Sequence, residues 1–426
     1  MIQILEYGQV PNDQLFQREM TPSSVESAVS RIIENVKQRG DDALREYSLT
    51  FDKVQLGALE ISRQDIEEAL ALTNPDFIRI LKLAADNIRH FHEKQLKNSF
   101  IINDQPGVVM GQKVLPIENV GLYVPGGRAA YPSTVLMDSI PAKIAGCRQL
   151  IMVTPPQRNG KVDPAILAAA SIAGVDRVFR IGGAQAIAAL AYGTESVPKV
   201  DKIVGPGNAY VAEAKKQVFG YVAIDMIAGP SEVLVVSDGG SDPAHVAADM
   251  LAQAEHDPMA TAVLVTDSMA LAKAVAGRIE EQLKTLERET IARASIEGRG
   301  KIIVVEDLSK AIDIANEIAP EHLELSVENP FDYLDSIRHA GSIFLGRNTP
   351  EALGDYMAGP NHTLPTLGTA RFSSPLSVDD FVKKTQYTYF TKDALGNLYR
   401  DVAVFARKEG LTAHARSAEI RFEARP

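Results

Sequence analysis

The chain has 426 residues, 45% of them hydrophobic, and a formal net charge of -11. That length allows two or more packed domains, and an acidic chain with dispersed Lys and Arg argues against a nucleic-acid or anionic-membrane binder. A lone cysteine, Cys147, rules out an intrachain disulfide and suits a reducing compartment. Met1-Ile-Gln-Ile-Leu-Glu carries no basic-then-apolar leader. No apolar run reaches the roughly 18 residues of a spanning helix. A soluble, cytoplasmic protein is expected.

In chain order, residues 1–20 are polar without a clear period and read as an arm. From Pro22 to about Phe100 the pattern is helical, around Ile32, Ile33 and Val36 and again around Ile78, Ile80 and Leu81, with Thr21-Pro-Ser-Ser-Val-Glu as a helix start. Beyond about Val120, short apolar runs alternate with Ala-rich helical ones. Strands are predicted at Gly121–Val124, Leu150–Thr154, Arg177–Ile181, Lys202–Val204 and Ala223–Ile227, then at Val233–Val236, Ala262–Thr266, Lys301–Val305 and Ser342–Leu345. Helices run through Ser139–Gly146, Ala165–Ala173, Gln185–Tyr192 and Tyr210–Val218. Such alternation predicts an α/β fold of two Rossmann-like, doubly wound units, a near-repeat that invites a duplication hypothesis. One unit covers 124–231, on the nucleotide side. The other joins 21–123, with its helices, to 232–375. A small α-rich unit is expected over 376–426.

Three glycine-bearing turns follow predicted strands: Pro125-Gly-Gly127, Gly182-Gly183-Ala-Gln185 and Gly205-Pro-Gly207-Asn208. Free N–H groups at the helix starts behind them favour a phosphate or another polar ligand. None matches the dinucleotide fingerprint, since Tyr210 stands where its third glycine belongs. Gln253 and His256, three apart at the end of an apolar helical run, share one face and can begin a metal site. Asp355 and His414 are candidates to complete it, and Glu321-His322 after Pro320 suits acid–base chemistry. Taken singly, each has a plainer reading as a cap, a surface residue or a tight turn.

Together the segments Val120-Gly-Leu-Tyr123-Val-Pro-Gly-Gly, Ile181-Gly-Gly-Ala-Gln185-Ala, Val204-Gly-Pro-Gly-Asn208, Ala228-Gly-Pro-Ser231-Glu, Ala252-Gln253-Ala-Glu-His256-Asp-Pro, Ala319-Pro-Glu321-His322-Leu-Glu, Gly359-Pro-Asn-His362 and Glu409-Gly-Leu-Thr-Ala-His414 resemble the histidinol dehydrogenase family along essentially the whole chain. The resemblance implies oxidation of L-histidinol to L-histidine through L-histidinaldehyde, with two NAD⁺ and a bound zinc. It implies zinc on Gln253, His256, Asp355 and His414, all four also facing the substrate. Further substrate contacts would come from Ser231, His322, His362 and Glu409, and NAD contacts from Tyr123, Gln185 and Asn208. It makes Glu321 and His322 catalytic, and the enzyme a homodimer whose C-terminal unit completes the partner's site. Rival readings are a related zinc- and NAD-dependent dehydrogenase of a sulfonated diol, a zinc hydrolase, which would lack the usual His-Glu-x-x-His helix, and a noncatalytic metal- or nucleotide-binding protein.

Overall fold

A computed structural model describes residues 2–9, 18, 23–126 and 130–423. Strand β1 (Gln3–Glu6) is followed by helices α1 (Ser23–Tyr47), α2 (Arg63–Leu72) and α3 (Pro75–His92) and strands β2 (Phe100–Ile102) and β3 (Val108–Pro116). A first alternating series comprises β4 (Asn119–Tyr123), α4 (Pro132–Ala145), β5 (Gln149–Val153), α5 (Pro164–Ala173), β6 (Arg177–Phe179), α6 (Gly183–Tyr192), β7 (Lys202–Val204), α7 (Ala209–Val218) and β8 (Ala223–Ile224). The second comprises β9 (Glu232–Ser237), α8 (Pro243–Ala254), β10 (Thr261–Thr266), α9 (Met269–Leu283), α10 (Glu289–Gly298), β11 (Lys301–Val304), α11 (Leu308–Ile318), β12 (His322–Ser326), α12 (Phe331–Leu334) and β13 (Ser342–Leu345). Then come α13 (Glu351–Leu353), a π-turn over Gly354–Ala358, β14 (Val382–Phe390), α14 (Lys392–Gly396), α15 (Tyr399–Lys408) and α16 (Thr412–Glu419).

The chain divides into two compact units, Met1–Gln95 with Ile117–Phe381, and Leu96–Pro116 with Val382–Pro426. The first holds two all-parallel sheets, ordered β6-β5-β4-β7-β8 and β1-β11-β10-β9-β12-β13. Within each alternating series the strands stand third, second, first, fourth, fifth, which is the doubly wound order, with a crevice at the carboxyl ends of the first and fourth. The same order occurring twice agrees with the two Rossmann-like units expected.

Three boundaries differ from the sequence reading. The N-terminal arm is partly a strand: Gln3–Glu6 pairs in parallel with Lys301–Val304, and Ile2 is buried beside it. Residues 10–17 and 19–22 of the expected arm and helix start, including Thr21 and Pro22, lie outside the described residues. The N-terminal helices pack mainly on the helices of the five-stranded sheet rather than on the unit beginning at 232: α1 lies on α6 and α7, and α2 and α3 on α4 and α5. Helix α3 also meets the Gly354–Ala358 turn, where Asn87 donates to the Met357 carbonyl at 2.8 Å. The cause is compositional. Helix α6 is buried on every side from Ala184 to Ala191, so it needs a second helical layer, and Val25, Val29, Ile32, Ile33 and Val36 of α1 provide it. Finally, β4 is the central strand of that sheet, so a boundary at 124 would cut it away from its partners β5 and β7.

The second unit contains the expected C-terminal helices α14, α15 and α16, plus an antiparallel sheet ordered β14-β3-β2 that draws on residues 96–116. Tyr399 stacks on Phe422 with ring centroids 4.3 Å apart. Small residues Ala403, Ala406 and Ala415 let α15 and α16 meet closely.

Candidate active site

Helix α11 ends on Ala319, which takes the left-handed conformation (φ 50), and Pro320 then directs the chain into β12. The sequence reading did not foresee β12. His322, Glu324 and Ser326 interrupt the apolar run that marks a buried parallel strand, yet all five residues of β12 are buried. The strand pairs with β9, which brings Glu232 to the catalytic candidates. Its N–H donates to Glu321 Oε2 at 2.9 Å, and its carbonyl accepts from His322 Nδ1 at 3.0 Å. A carbonyl only accepts, so the proton sits on Nδ1 and leaves Nε2 with a bare lone pair. Nε2 is buried and has no protein partner.

Burial pushes the His322 imidazole down to about 4, against the pull of the Asp355 charge. It is therefore neutral near pH 7 and able to accept a proton. Burial pushes the Glu321 carboxyl well above the ordinary range, the Glu232 N–H resists this, and the charges of Glu232 and Asp355 reinforce it. The Ser231 hydroxyl also hydrogen-bonds that carboxyl.

His322, Glu351 and Asp355 offer ligand atoms within 4.8 Å of one another, the one group of three such side chains among the described residues. His362 Nδ1 lies 3.8 Å from Asp355 Oδ1, and its Nε2 is 3.3 Å from Thr134 Oγ1. Gln253, in the last turn of α8, is fully buried and neither of its amide atoms has a partner. His256 lies just past the helix, exposed, with its N–H on the Gln253 carbonyl at 3.2 Å, and its charge bears on both His322 and His362. Thus Ser231, Glu321, His322, Asp355 and His362 are joined by contacts in the first unit. Glu409, at the C-terminal end of α15, and His414, within α16, belong to the second.

Sequence reasoning missed Glu351, which is buried and has Oε1 3.8 Å from His322 Nδ1. Its position four residues before Asp355 was a usable signal. It also missed Glu324, whose carboxyl burial pushes up to about 9; that group hydrogen-bonds Asp249 and accepts the Glu351 N–H at 2.7 Å.

The three glycine turns follow β4, β6 and β7 at the carboxyl edge of the five-stranded sheet; Gly127 of the first lies outside the described residues. Tyr123 is buried, and its hydroxyl accepts the Gly183 N–H at 3.1 Å at the start of α6. Gln185 is buried nearby with its carbonyl oxygen unpartnered. Gly205 has φ 112, and a Cβ there would collide with the Tyr123 carbonyl, so only glycine fits. A fully buried Lys215–Asp225 ion pair grips both sides of this residue: Lys215 donates to the Gly205 carbonyl at 2.9 Å and Asp225 accepts its N–H at 2.8 Å. Asn208 caps α7 by accepting the N–H groups of Tyr210 and Val211. Tyr123 and Asn208 therefore have structural tasks at this edge, whereas the Gln185 carbonyl is open.

Cys147 is buried in the same unit, its Sγ–H directed at the Phe381 carbonyl, and burial pushes its thiol up to about 11. A thiolate is the reactive form. An alkylating reagent at pH 7.5 should therefore label Cys147 slowly in the folded protein and rapidly in denaturant. Equal rates in both would contradict this packing.

A family model described as histidinol dehydrogenase matches residues 16–422. A histidinol dehydrogenase from Clostridium acetobutylicum is 52% identical, over 99% of this chain and 99% of its own. Another, from Syntrophotalea carbinolica, is 55% identical over 95% and 94%. The crystal structure of histidinol dehydrogenase from Elizabethkingia anophelis superposes with a TM-score of 0.93 at 39% identity, covering 99% of this chain and 98% of that one.

Proposed function

The chain belongs to the histidinol dehydrogenase family and is an oxidoreductase, and we propose that it oxidises L-histidinol through L-histidinaldehyde to L-histidine, the last step of histidine biosynthesis, with two NAD⁺ and one zinc ion per subunit. The observation that carries this reading is the buried Glu321–His322 pair, gripped by the two main-chain groups of Glu232 beside the Asp355–His362 cluster.

Gln253 provides the test of fit for a metal. Leaving a buried amide unpartnered costs about 1–3 kcal/mol per group, so its two orphaned atoms favour a ligand. Zinc would be held by Gln253, His256, Asp355 and His414, a mixed oxygen and nitrogen set that suits it. When bound, zinc anchors the imidazole and amino nitrogens of the substrate, and NAD⁺ accepts a hydride in each oxidation. His322 Nε2 takes the hydroxyl proton as the alcohol becomes aldehyde. Glu321 removes a proton from the water that adds to the aldehyde while His322 returns its proton to the aldehyde oxygen. His322, neutral again, takes a hydroxyl proton of the resulting hydrate in the second oxidation. Ser231 and His362 contact the substrate, and the Glu409 carboxylate accepts a hydrogen bond from its amino group. Glu409 and His414 come from the C-terminal unit and complete the site of the partner in a homodimer.

Tyr123, Gln185 and Asn208 line the NAD site at the edge of the five-stranded sheet. Support comes from the other crevice, between β9 and β12, where Asp238 already occupies the place an anion would take. It accepts from Arg347 at 2.6 Å, Gly240 N–H at 2.9 Å and Glu328 N–H at 3.0 Å. Assaying L-histidinol beside a sulfonated diol tests the substrate. NAD⁺ reduction with histidinol alone is expected, and reduction with the diol alone would overturn the assignment.

A further inference from the structure

We propose that Arg18 is a positioning residue for the Glu321–His322 pair, acting through Glu232; the proposal rests on the function given above. Arg18 Nε meets Glu232 Oε1 at 2.8 Å and its Nη2 meets Oε2 at 2.7 Å, a two-pronged pair on a buried carboxylate. The same Nη2 also donates to the Ile318 carbonyl at 2.8 Å. Ile318 closes α11 and stands three residues before Glu321. One guanidinium thus ties the strand whose main chain holds both catalytic side chains to the helix end that leads into them.

The geometry makes Glu232 a single point of control. Its N–H fixes Glu321, its carbonyl fixes the His322 tautomer, and its side chain is fixed by Arg18. A cleft of about 380 Å³, lined by Arg18, Glu232, Met259, Arg299 and Pro320 among others, lies on this side of the strand. Without its fork, the Glu232 carboxylate would turn into that cleft to recover water, because a buried unpaired charge is costly. The peptide group would turn with it, both hydrogen bonds would lengthen, and His322 would lose the carbonyl that holds its proton on Nδ1. A planar two-pronged contact is also one that lysine replaces poorly.

The experiment compares wild type with Arg18→Met, Arg18→Lys, Glu232→Gln and the Arg18→Met/Glu232→Gln pair, each loaded with zinc. It reads kcat, KM for L-histidinol, zinc content and Tm. Misplacing reacting groups by about 1 Å can cost on the order of 10²-fold, so kcat should fall roughly 10- to 100-fold in Arg18→Met and Glu232→Gln. KM should stay within about threefold and zinc at wild-type content. Arg18→Lys should recover part of the loss, and the double variant should be no worse than the worse single one, the non-additivity of groups acting as one unit. Folded, zinc-replete variants with kcat within about twofold of wild type would overturn the proposal. So would activity that falls only in step with zinc content and folded fraction, since Arg18 would then serve the scaffold. A wild type inactive on histidinol would overturn the functional reading, and the Arg18 proposal with it; an active wild type with indifferent variants would overturn the Arg18 proposal alone.

Discussion

Glu321→Gln should slow aldehyde oxidation by about 10²–10⁴-fold, the usual contribution of a positioned acid–base group, and slow alcohol oxidation far less. The amide keeps the shape of the side chain and can still accept the Glu232 N–H, which the wild-type carboxylate receives at 2.9 Å. What it loses is the capacity to take a proton from water. Alcohol oxidation uses His322 Nε2, whose surroundings the substitution leaves in place. Supplying histidinol and histidinaldehyde separately in single-turnover runs, and following NADH, separates the two steps. Equal losses in both would remove Glu321 from the water step. Burial holds this carboxyl above its ordinary range, so the wild-type aldehyde step should gain rate as pH rises through that higher range. The gain should vanish in the variant.

Removing the metal should abolish both oxidations, with zinc restoring them, and His256→Asn should lose zinc and activity together. Full activity after exhaustive chelation would contradict the role given to zinc. Gln253→Leu offers a readout apart from turnover. In the metal-free protein, the two orphaned amide atoms of Gln253 carry an unrelieved desolvation cost. An apolar side chain of similar size removes it, so metal-free Gln253→Leu should be more stable than metal-free wild type by about 1–3 kcal/mol. Zinc should then stabilise the variant far less than the wild type. A variant that binds zinc as tightly as wild type would exclude Gln253 as a ligand.

The alternating region beyond Val120 was legible because buried parallel strands are written as continuous apolar runs, as in Leu150–Val153 or Val233–Val236. Where polar residues interrupt such a run for the sake of the site, legibility failed: His322 and Glu324 hid β12, which lies between β9 and β13. Strand β1 went unread because it is four residues at a sheet edge, and β14 because most of its side chains are exposed. The side of the fold that the N-terminal helices cover is a tertiary fact. The pattern around Ile32, Ile33 and Val36 marks an apolar face without naming its partner. The site has the same limit. Gln253, Glu321 and Asp355 sit on segments far apart in the chain, and spacing alone gave no reason to join them; the family resemblance did. Glu351 and Glu232 went unremarked because an acidic residue in a single sequence reads as surface until its burial is known.

NADH yield tests the central claim most directly. Purified, zinc-loaded protein is given limiting L-histidinol and excess NAD⁺, and NADH and product are counted at completion. Two NADH per histidinol, with L-histidine as the product, is the predicted result. One NADH per histidinol with free aldehyde accumulating would contradict a four-electron oxidation at this site, and no NADH would contradict histidinol as the substrate.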